Sequence, residues 1–391
     1  MLTHQQRELY EQLLTLTKTN EAFYFKDYEV DEGSPTYEAT YRVFNYRLAS
    51  YTDFMLPGAL EARGITFLMN SAVLHEKEPV ALVCRPWKKF FNLDESPMTM
   101  NLDLSKENIH KAAVKEDGSM ICTFYNPYTK FFGVKSKQDF FSDQAKLAGN
   151  YLNINSRLKQ DLLDLTKLGN TVIMELVSPY NRIVLPYQKT MLKILGVRRN
   201  SDGSLWDLRD VIFDFPELEQ DTVEEYFNIP QDFILGIPSM TNMEGYVITL
   251  TNTLMFKVKT DWYRALHHLK DSVDSPRRLF EAIILEAIDD VKSMFSDDKA
   301  QMDRIKSMED KVIPKFNSLI KTVEEFYETN KDIDRKGYAI KGQQELGLLF
   351  NLAMMKYLNK LKDFGYKEFA VKFRKEYFSI EEETDLTLIN E

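Results

Sequence analysis

The chain has 391 residues, 44% of them hydrophobic and 13% aromatic, enough to bury a substantial core and too much to remain disordered. A formal net charge of −10 excludes a protein that coats nucleic acid through bulk electrostatics. Two cysteines, Cys84 and Cys122, with no C-x-x-C pair, and five histidines exclude a disulfide framework and a histidine-rich metal centre, and fit a reducing setting.

Residues 1–14 alternate polar and apolar side chains, and no window of eighteen apolar residues occurs anywhere, so neither a secretion signal nor a membrane span is expected. Up to about residue 270 the chain is written in short apolar runs broken by turn residues, at 64–70, 120–125, 130–134, 171–177 and 246–250. One helical stretch, about 142–168, interrupts them. The pattern predicts an α+β fold with a large antiparallel component. At Asp274-Ser275-Pro276 a capping residue followed by proline marks a helix start. From there Leu279, Phe280, Ile283, Ile284, Ala287, Ile288, Val291, Met294 and Phe295 recur at three-and-four spacing, the stripe of an amphipathic helix. Further helices are expected at about 299–329 and 343–363. A boundary near residue 270 is therefore expected, with residues 271–391 forming a small all-helical domain.

Several segments carry chemistry. Arg63-Gly64 precedes an apolar run, and a guanidinium at a strand end can fork onto phosphate. Arg85-Pro-Trp-Lys-Lys-Phe-Phe-Asn92 mixes cations with aromatics that can stack a base, or simply cap the core. Lys115-Glu116-Asp117-Gly118-Ser119 separates the runs 109–114 and 120–125. Asp-Gly there reads as a β-hairpin turn, and a lysine beside it at the mouth of a sheet is suited to attack the α-phosphate of a nucleotide. Lys111, Lys115, Lys130, Lys135, Lys137 and Lys146 form a local basic track around it. Period-two alternation through residues 171–177 leaves Glu175 among apolar neighbours, a carboxylate in need of a cation, a metal or a ligand hydroxyl. Around Glu244-Gly245 and Phe256-Lys257-Val258-Lys259 a hairpin is expected, with Lys257 and Lys259 on one face as a seat for a polyanion. A lysine with a pKa near ~10.4 cannot attack phosphorus while protonated, so nearby positive charge and burial are expected to lower that of Lys115.

In order, Arg63-Gly64, Lys115-Glu-Asp-Gly118, Glu175, Glu244-Gly245 and Lys257-Val-Lys259 resemble the elements of the covalent nucleotidyltransferases. The details Tyr41-Arg-Val-Phe-Asn-Tyr46, Ala49-Ser-Tyr51, Arg85-Pro86, Lys89-Phe-Phe-Asn-Leu93, Lys135-Ser-Lys137, Asn181-Arg-Ile-Val-Leu185 and Thr260-Asp-Trp-Tyr263 resemble the RNA ligase 1 family of tailed bacteriophages over nearly the whole chain, more weakly after residue 300. That resemblance implies an adenylyltransferase domain at 1–270 and a helical domain at 271–391 for RNA or tRNA recognition. It implies an ATP- and Mg²⁺-dependent RNA ligase that works through lysyl-AMP and RNA-adenylate. Lys115, Glu175 and Tyr263 take the catalytic places. Tyr46, Arg63, Lys89, Phe91, Glu116, Gly118, Lys137, Glu244, Lys257 and Lys259, again with Glu175, take the nucleotide-binding ones, and Asp289 and Asp290 take a metal-binding one. The implied partner is RNA with 5′-phosphate and 3′-hydroxyl ends, cleaved tRNA in particular, and the implied setting is repair by a monomer in the cytoplasm of an infected bacterium. The segment 27–40 reads as an insertion.

Two alternatives use other features. A DNA ligase or capping enzyme shares the lysine but usually appends a short-strand OB barrel, which the helical tail does not match. A non-catalytic RNA-binding protein needs no such lysine and glutamate set. A P-loop is excluded, because Leu348-Leu349 stand where Lys and Ser/Thr are required after Gly342 and Gly347.

Overall fold

The computed structural model describes residues 2–33, 39–70, 78–286, 288, 291–292, 295, 298–361 and 363–381, with only the backbone at 268–273 and 363. Asp289 and Asp290 lie outside the described residues. The chain divides into two compact units, Met1–Arg264 and Ala265–Glu391.

In chain order the first unit contains α1 (His4–Thr19), β1 (Phe23–Val30), β2 (Ala39–Tyr46), β3 (Ile65–Met69), β4 (Pro79–Cys84), β5 (Phe91–Asn92), β6 (Ile109–Val114), β7 (Ser119–Tyr125) and β8 (Phe132–Ser136). There follow α2 (Asp143–Ile154), α3 (Ser156–Lys167), β9 (Asn170–Val177), β10 (Met191–Arg199), β11 (Leu205–Trp206), α4 (Leu208–Asp214), β12 (Glu225–Phe227), α5 (Gln231–Gly236), β13 (Gly245–Leu250) and β14 (Met255–Lys259). Helix α6 (Asp261–Asp274) crosses the division, and the second unit holds α7 (Pro276–Ile284), α8 (Lys299–Asn330), α9 (Arg335–Leu346), α10 (Phe350–Tyr357), α11 (Asp363–Lys372) and α12 (Arg374–Phe378).

Three sheets build the first unit. Their strand orders are β1-β2-β3-β4, β11-β10-β9-β7-β8 and β12-β6-β13-β14-β5, antiparallel throughout except for the parallel pair β14 and β5. The mixture of sheets and helices is the α+β class expected. The alternation in residues 1–14 belongs to α1, whose capping box joins Thr3 and Gln6 and whose Leu9, Tyr10, Leu13 and Leu16 are buried. That stripe packs with Phe23, Phe44 and Phe67 of the first sheet. The other face of that sheet meets the second through Tyr41, Leu68, Cys84, Cys122, Phe124 and Ile173, while α2 and α3 cover the second sheet's far side with Ala148, Leu152, Leu158, Leu162 and Leu165.

Two helical expectations change. The stretch 142–168 is two helices, because Asn155 turns its side-chain amide onto the Tyr151 carbonyl at 2.8 Å and leaves helical geometry. The stretch 343–363 is likewise broken, at Gly347 with φ +52°. Ser275 does cap α7, accepting from the Arg278 amide with Pro276 in the first turn. That helix ends at Ile284, short of the stripe predicted to 295, some of which lies outside the described residues. Among the described residues no helix is long and apolar enough to cross a membrane.

Candidate active site between two sheets

Asp117-Gly118 is not a hairpin tip. The strand before it, β6, lies in the third sheet and the strand after it, β7, in the second, so the loop carries the chain from one sheet to the other. The Lys115 amide still donates to Gly245 O at 2.9 Å, which holds the lysine at the end of the β6–β13 ladder. Glycine at 118 answers to close approach: a Cβ there would lie 2.3 Å from Leu176 O and 3.0 Å from Glu175 Cγ. Gly245, at φ +147°, is equally constrained, since a Cβ would stand 2.0 Å from Val258 O.

Asp117 locks the loop. Its buried carboxylate accepts from the amides of Val184 at 2.8 Å and Leu185 at 2.7 Å and from the Tyr263 hydroxyl at 2.7 Å. The Tyr187 hydroxyl accepts from the Asp117 amide at 3.0 Å and donates to Glu116 at 2.8 Å. Burial first, and then the carboxylates of Glu244 and Asp117, push the Tyr263 phenol far up, so it remains a neutral donor. Tyr263 thus stands behind the loop and does not line the cavity in front of it.

Lys115 Nζ lies 2.8 Å from Glu244 Oε2, and Lys259 Nζ lies 2.9 Å from Glu244 Oε1. The expectation of a lowered Lys115 pKa is corrected here. Burial pulls it down, but the carboxylates of Glu244, Glu175 and Asp117 outweigh burial and hold it above the usual lysine value. Among the lysines that line the cavity it is Lys257 that is lowered, pushed down to about 7 by burial and by Lys115, Lys89, Lys259 and Arg63. Glu175 is pushed up to about 7, by burial first and also by Glu244 and Asp117, against Lys115 and Arg63.

These shifts have a stability consequence. Between about 7 and the ordinary 10.5 of lysine, Lys257 is neutral when folded and protonated when unfolded, so the unfolded chain binds more protons and stability rises with pH across that window. Relative to Lys257→Met, the urea midpoint of the parent protein is expected to climb from neutral pH upward. Parallel midpoint-against-pH curves for the two proteins would contradict this.

The cavity between the sheets measures about 600 Å³ and is lined by Tyr46, Arg63, Lys89, Gly118, Lys137, Glu175 and Lys257 as well as Lys115 and Glu116. Lys89 and Lys137 each hold Nζ 5.5 Å from the Tyr46 ring centre. Burial raises the Tyr46 phenol, yet Lys89, Arg63 and Lys137 together bring it below its ordinary value. Gly64, at φ +89°, would place a Cβ 2.3 Å from Lys137 O, so glycine lets Arg63 approach this cluster. Three donors in the lining, Arg63 Nη1, Trp87 Nε1 and Trp206 Nε1, are buried and have no acceptor among the described residues. Buried donors are rarely left unpaired, and these suit a ligand rich in acceptors, such as a nucleotide. Among the described residues no three His, Cys, Asp or Glu side chains cluster as a metal cage. Mg²⁺ at a phosphate needs less, one or two carboxylates plus phosphate oxygens and water, and Glu175, in the lining, fits that requirement.

Other expected residues fall elsewhere. Phe91 is turned into the α1 core beside Phe54, at 5.4 Å between ring centres, and it is Phe90 that lines the cavity, 5.4 Å from the Arg63 guanidinium carbon. Glu244 and Lys259 stand behind Lys115, outside that lining. The basic track is divided: Lys111, Lys115 and Lys137 line the cavity, Lys111 paired with Glu225 at 2.5 Å, whereas Lys135 is fully buried, donating to Gly64 O and Ser136 O. Arg85 makes a buried network with Glu61 and Arg198, joining sheets and not contacting the cavity. Asp117, Trp87, Phe90 and Trp206 were not among the expected site residues. The aromatic-cation run holds two of them only as members of a segment, Asp117 stands in Lys-x-Asp-Gly where it reads as a turn residue, and nothing local distinguishes Trp206.

The chain matches the RNA ligase family over residues 61–263 and the family described as T4 RNA ligase 1, C-terminal domain, over residues 270–383. A putative RNA ligase of Thermovibrio ammonificans is 28% identical over 262 residues, 63% of this chain and 64% of that protein. RNA ligase 1 of bacteriophage TS2126 is 28% identical over 264 residues, 61% and 59% of the two chains. The matched region is thus a little under two thirds of each relative's length. Among solved structures, an archaeal ATP-dependent RNA ligase aligns over 89% of this chain and 78% of its own at 12% identity, with a TM-score of 0.41.

Proposed function

The chain belongs to the RNA ligase family, and from that premise we propose that it is an ATP-dependent RNA ligase that joins 5′-phosphate and 3′-hydroxyl ends through lysyl-AMP and RNA-adenylate. The observation that carries this reading is Lys115 at the crossing between two sheets, ion-paired to Glu244 at 2.8 Å, beside a cavity whose walls supply Arg63, Lys89, Lys137 and Lys257.

The Lys115 amine must first lose its proton, and Glu244 Oε2 is the acceptor in reach. The amine then attacks the α-phosphorus of ATP: an N–P bond forms and the P–O bond to pyrophosphate breaks. Arg63, Lys89, Lys137 and Lys257 neutralise charge on the leaving phosphates, with Tyr46 packed among them. Lys257, near neutrality by itself, takes up a proton as an anion arrives. In the second step an oxygen of the RNA 5′-phosphate displaces Lys115 from phosphorus. In the third, the 3′-hydroxyl attacks that 5′-phosphate and releases AMP. Mg²⁺ held by Glu175 would add positive charge at the phosphates. Glu116 and Gly118 shape the nucleotide side of the loop, Tyr263 holds Asp117, Lys259 shares Glu244 with Lys115, and Phe91 supports Phe90 from the core.

In this reading residues 1–270 carry the adenylyltransferase chemistry, and residues 271–391 select RNA, with cleaved tRNA in the cytoplasm of an infected bacterium as the substrate and a monomer as the working form. Asp289 and Asp290 keep the metal-binding place implied by the family likeness. ATP labelled in the α-phosphate, incubated with Mg²⁺, is expected to leave an acid-labile label on the protein, and 5′-phosphorylated single-stranded RNA to circularise much faster than a DNA nick is sealed. No label on the protein would end the ligase reading, and equal sealing of the DNA nick would reassign its substrate.

A further inference from the structure

A second cavity, of about 350 Å³, shares Trp87, Lys89, Phe90, Leu205, Thr253 and Met255 with the first as a common wall. We propose that it receives the base of the 5′-terminal nucleotide of the donor RNA. The inference rests on the ligase reading and adds to it a subsite for the second substrate.

In-line displacement fixes where that nucleotide enters. Pyrophosphate leaves the α-phosphorus on the side opposite Lys115, and the donor 5′-phosphate attacks from that same side once lysyl-AMP has formed. The donor phosphate therefore occupies the ground of the departed pyrophosphate, among Arg63, Lys89, Lys137 and Lys257. Lys89 is at once part of this group and part of the dividing wall, so a base one sugar away from the phosphate reaches the second cavity.

The chemistry of that cavity suits a base. Phe90 and Trp87 offer ring surface, and Met98 and Leu254 offer apolar surface. Among the described residues no carboxylate lines it, whereas Lys88 and Arg198 do, and Lys88, 58% exposed, holds Nζ 4.0 Å from Glu61 Oε1. Single-stranded RNA is commonly held this way, by stacking an unpaired base on aromatic side chains with cations along the backbone. The volume is at the small end for ligand sites, right for one base with its sugar and too small for a second nucleoside triphosphate.

The test separates this subsite from the ligase reading by measuring two steps. Ser204→Trp, or Leu254→Trp if the first variant does not fold, places bulk at a position that lines the second cavity and not the first. Labelling by ATP is expected to stay within about threefold of the parent protein, while KM for a 5′-phosphorylated oligoribonucleotide in AMP transfer rises roughly tenfold, the scale of one lost base stack. The same oligonucleotide lacking only its 5′-terminal base is expected to show that tenfold loss with the parent protein and no further loss with the filled variant. An abasic donor used as well as the intact one by the parent protein overturns the subsite, and so does a filled variant with unchanged KM. Absence of label on the parent protein instead removes the ligase reading itself.

Discussion

Replacing Lys115 with alanine is expected to reduce labelling of the protein by ATP about 10,000-fold or more, the scale of losing a covalent nucleophile. The site contains a competitor that makes the result informative. At neutral pH Lys257, pushed down to about 7, has a far larger neutral fraction than Lys115, which Glu244, Glu175 and Asp117 hold protonated against burial. If the fraction of free amine alone chose the nucleophile, the label would go to Lys257 and survive the substitution. If position chooses, the label sits on Lys115 and disappears with it, because Lys115 is fixed at the sheet crossing by the hydrogen bond from its backbone amide to Gly245 O and by its ion pair to Glu244. Lys115→Arg should be equally inactive, since a guanidinium does not deprotonate in proteins. Peptide mapping of the labelled parent protein decides the matter, and adenylate recovered on residue 257 would overturn the assignment.

Asp117→Ala is expected to destabilise the first unit by about 3–5 kcal/mol, because one change leaves two backbone amides and the Tyr263 hydroxyl without their buried acceptor. Asp117→Asn keeps an acceptor oxygen and should cost less. Neither side chain touches a reacting atom in the proposed chemistry, so loss of labelling beyond the loss of folded protein would come through displacement of Lys115 and Glu116. Urea unfolding gives the first quantity, and labelling per folded molecule gives the second. A shift below about 1 kcal/mol for the alanine variant would mean that Asp117 does not anchor the loop.

The fold class could be read from pattern, because period-two runs such as 171–177 and three-and-four stripes such as that starting at Leu279 register burial locally. The chemistry-bearing residues around Lys115 could also be read, since Lys-x-Asp-Gly and the alternation in Phe256-Lys257-Val258-Lys259 are short-range features. Helix α1 was hidden because its stripe also passes for irregular alternation over fourteen residues. Phe90 and Phe91 are adjacent and chemically identical, so nothing local says which one faces the cavity and which the core.

By itself the sequence determined the family likeness, the α+β class and a lysine set among acids and cations, all properties of residues close in the chain. Only the tertiary structure decided that Asp117-Gly118 crosses between sheets, that Asp117 gathers Val184, Leu185 and Tyr263, and that Glu244 and not a cation stands nearest to Lys115. The reason is electrostatic as well as geometric. A pKa depends on which charges lie within a few ångströms in a poorly solvated space, and here Glu244 and Glu175, 129 and 60 positions from Lys115 in the chain, do most to raise the proton affinity of the reacting amine against burial.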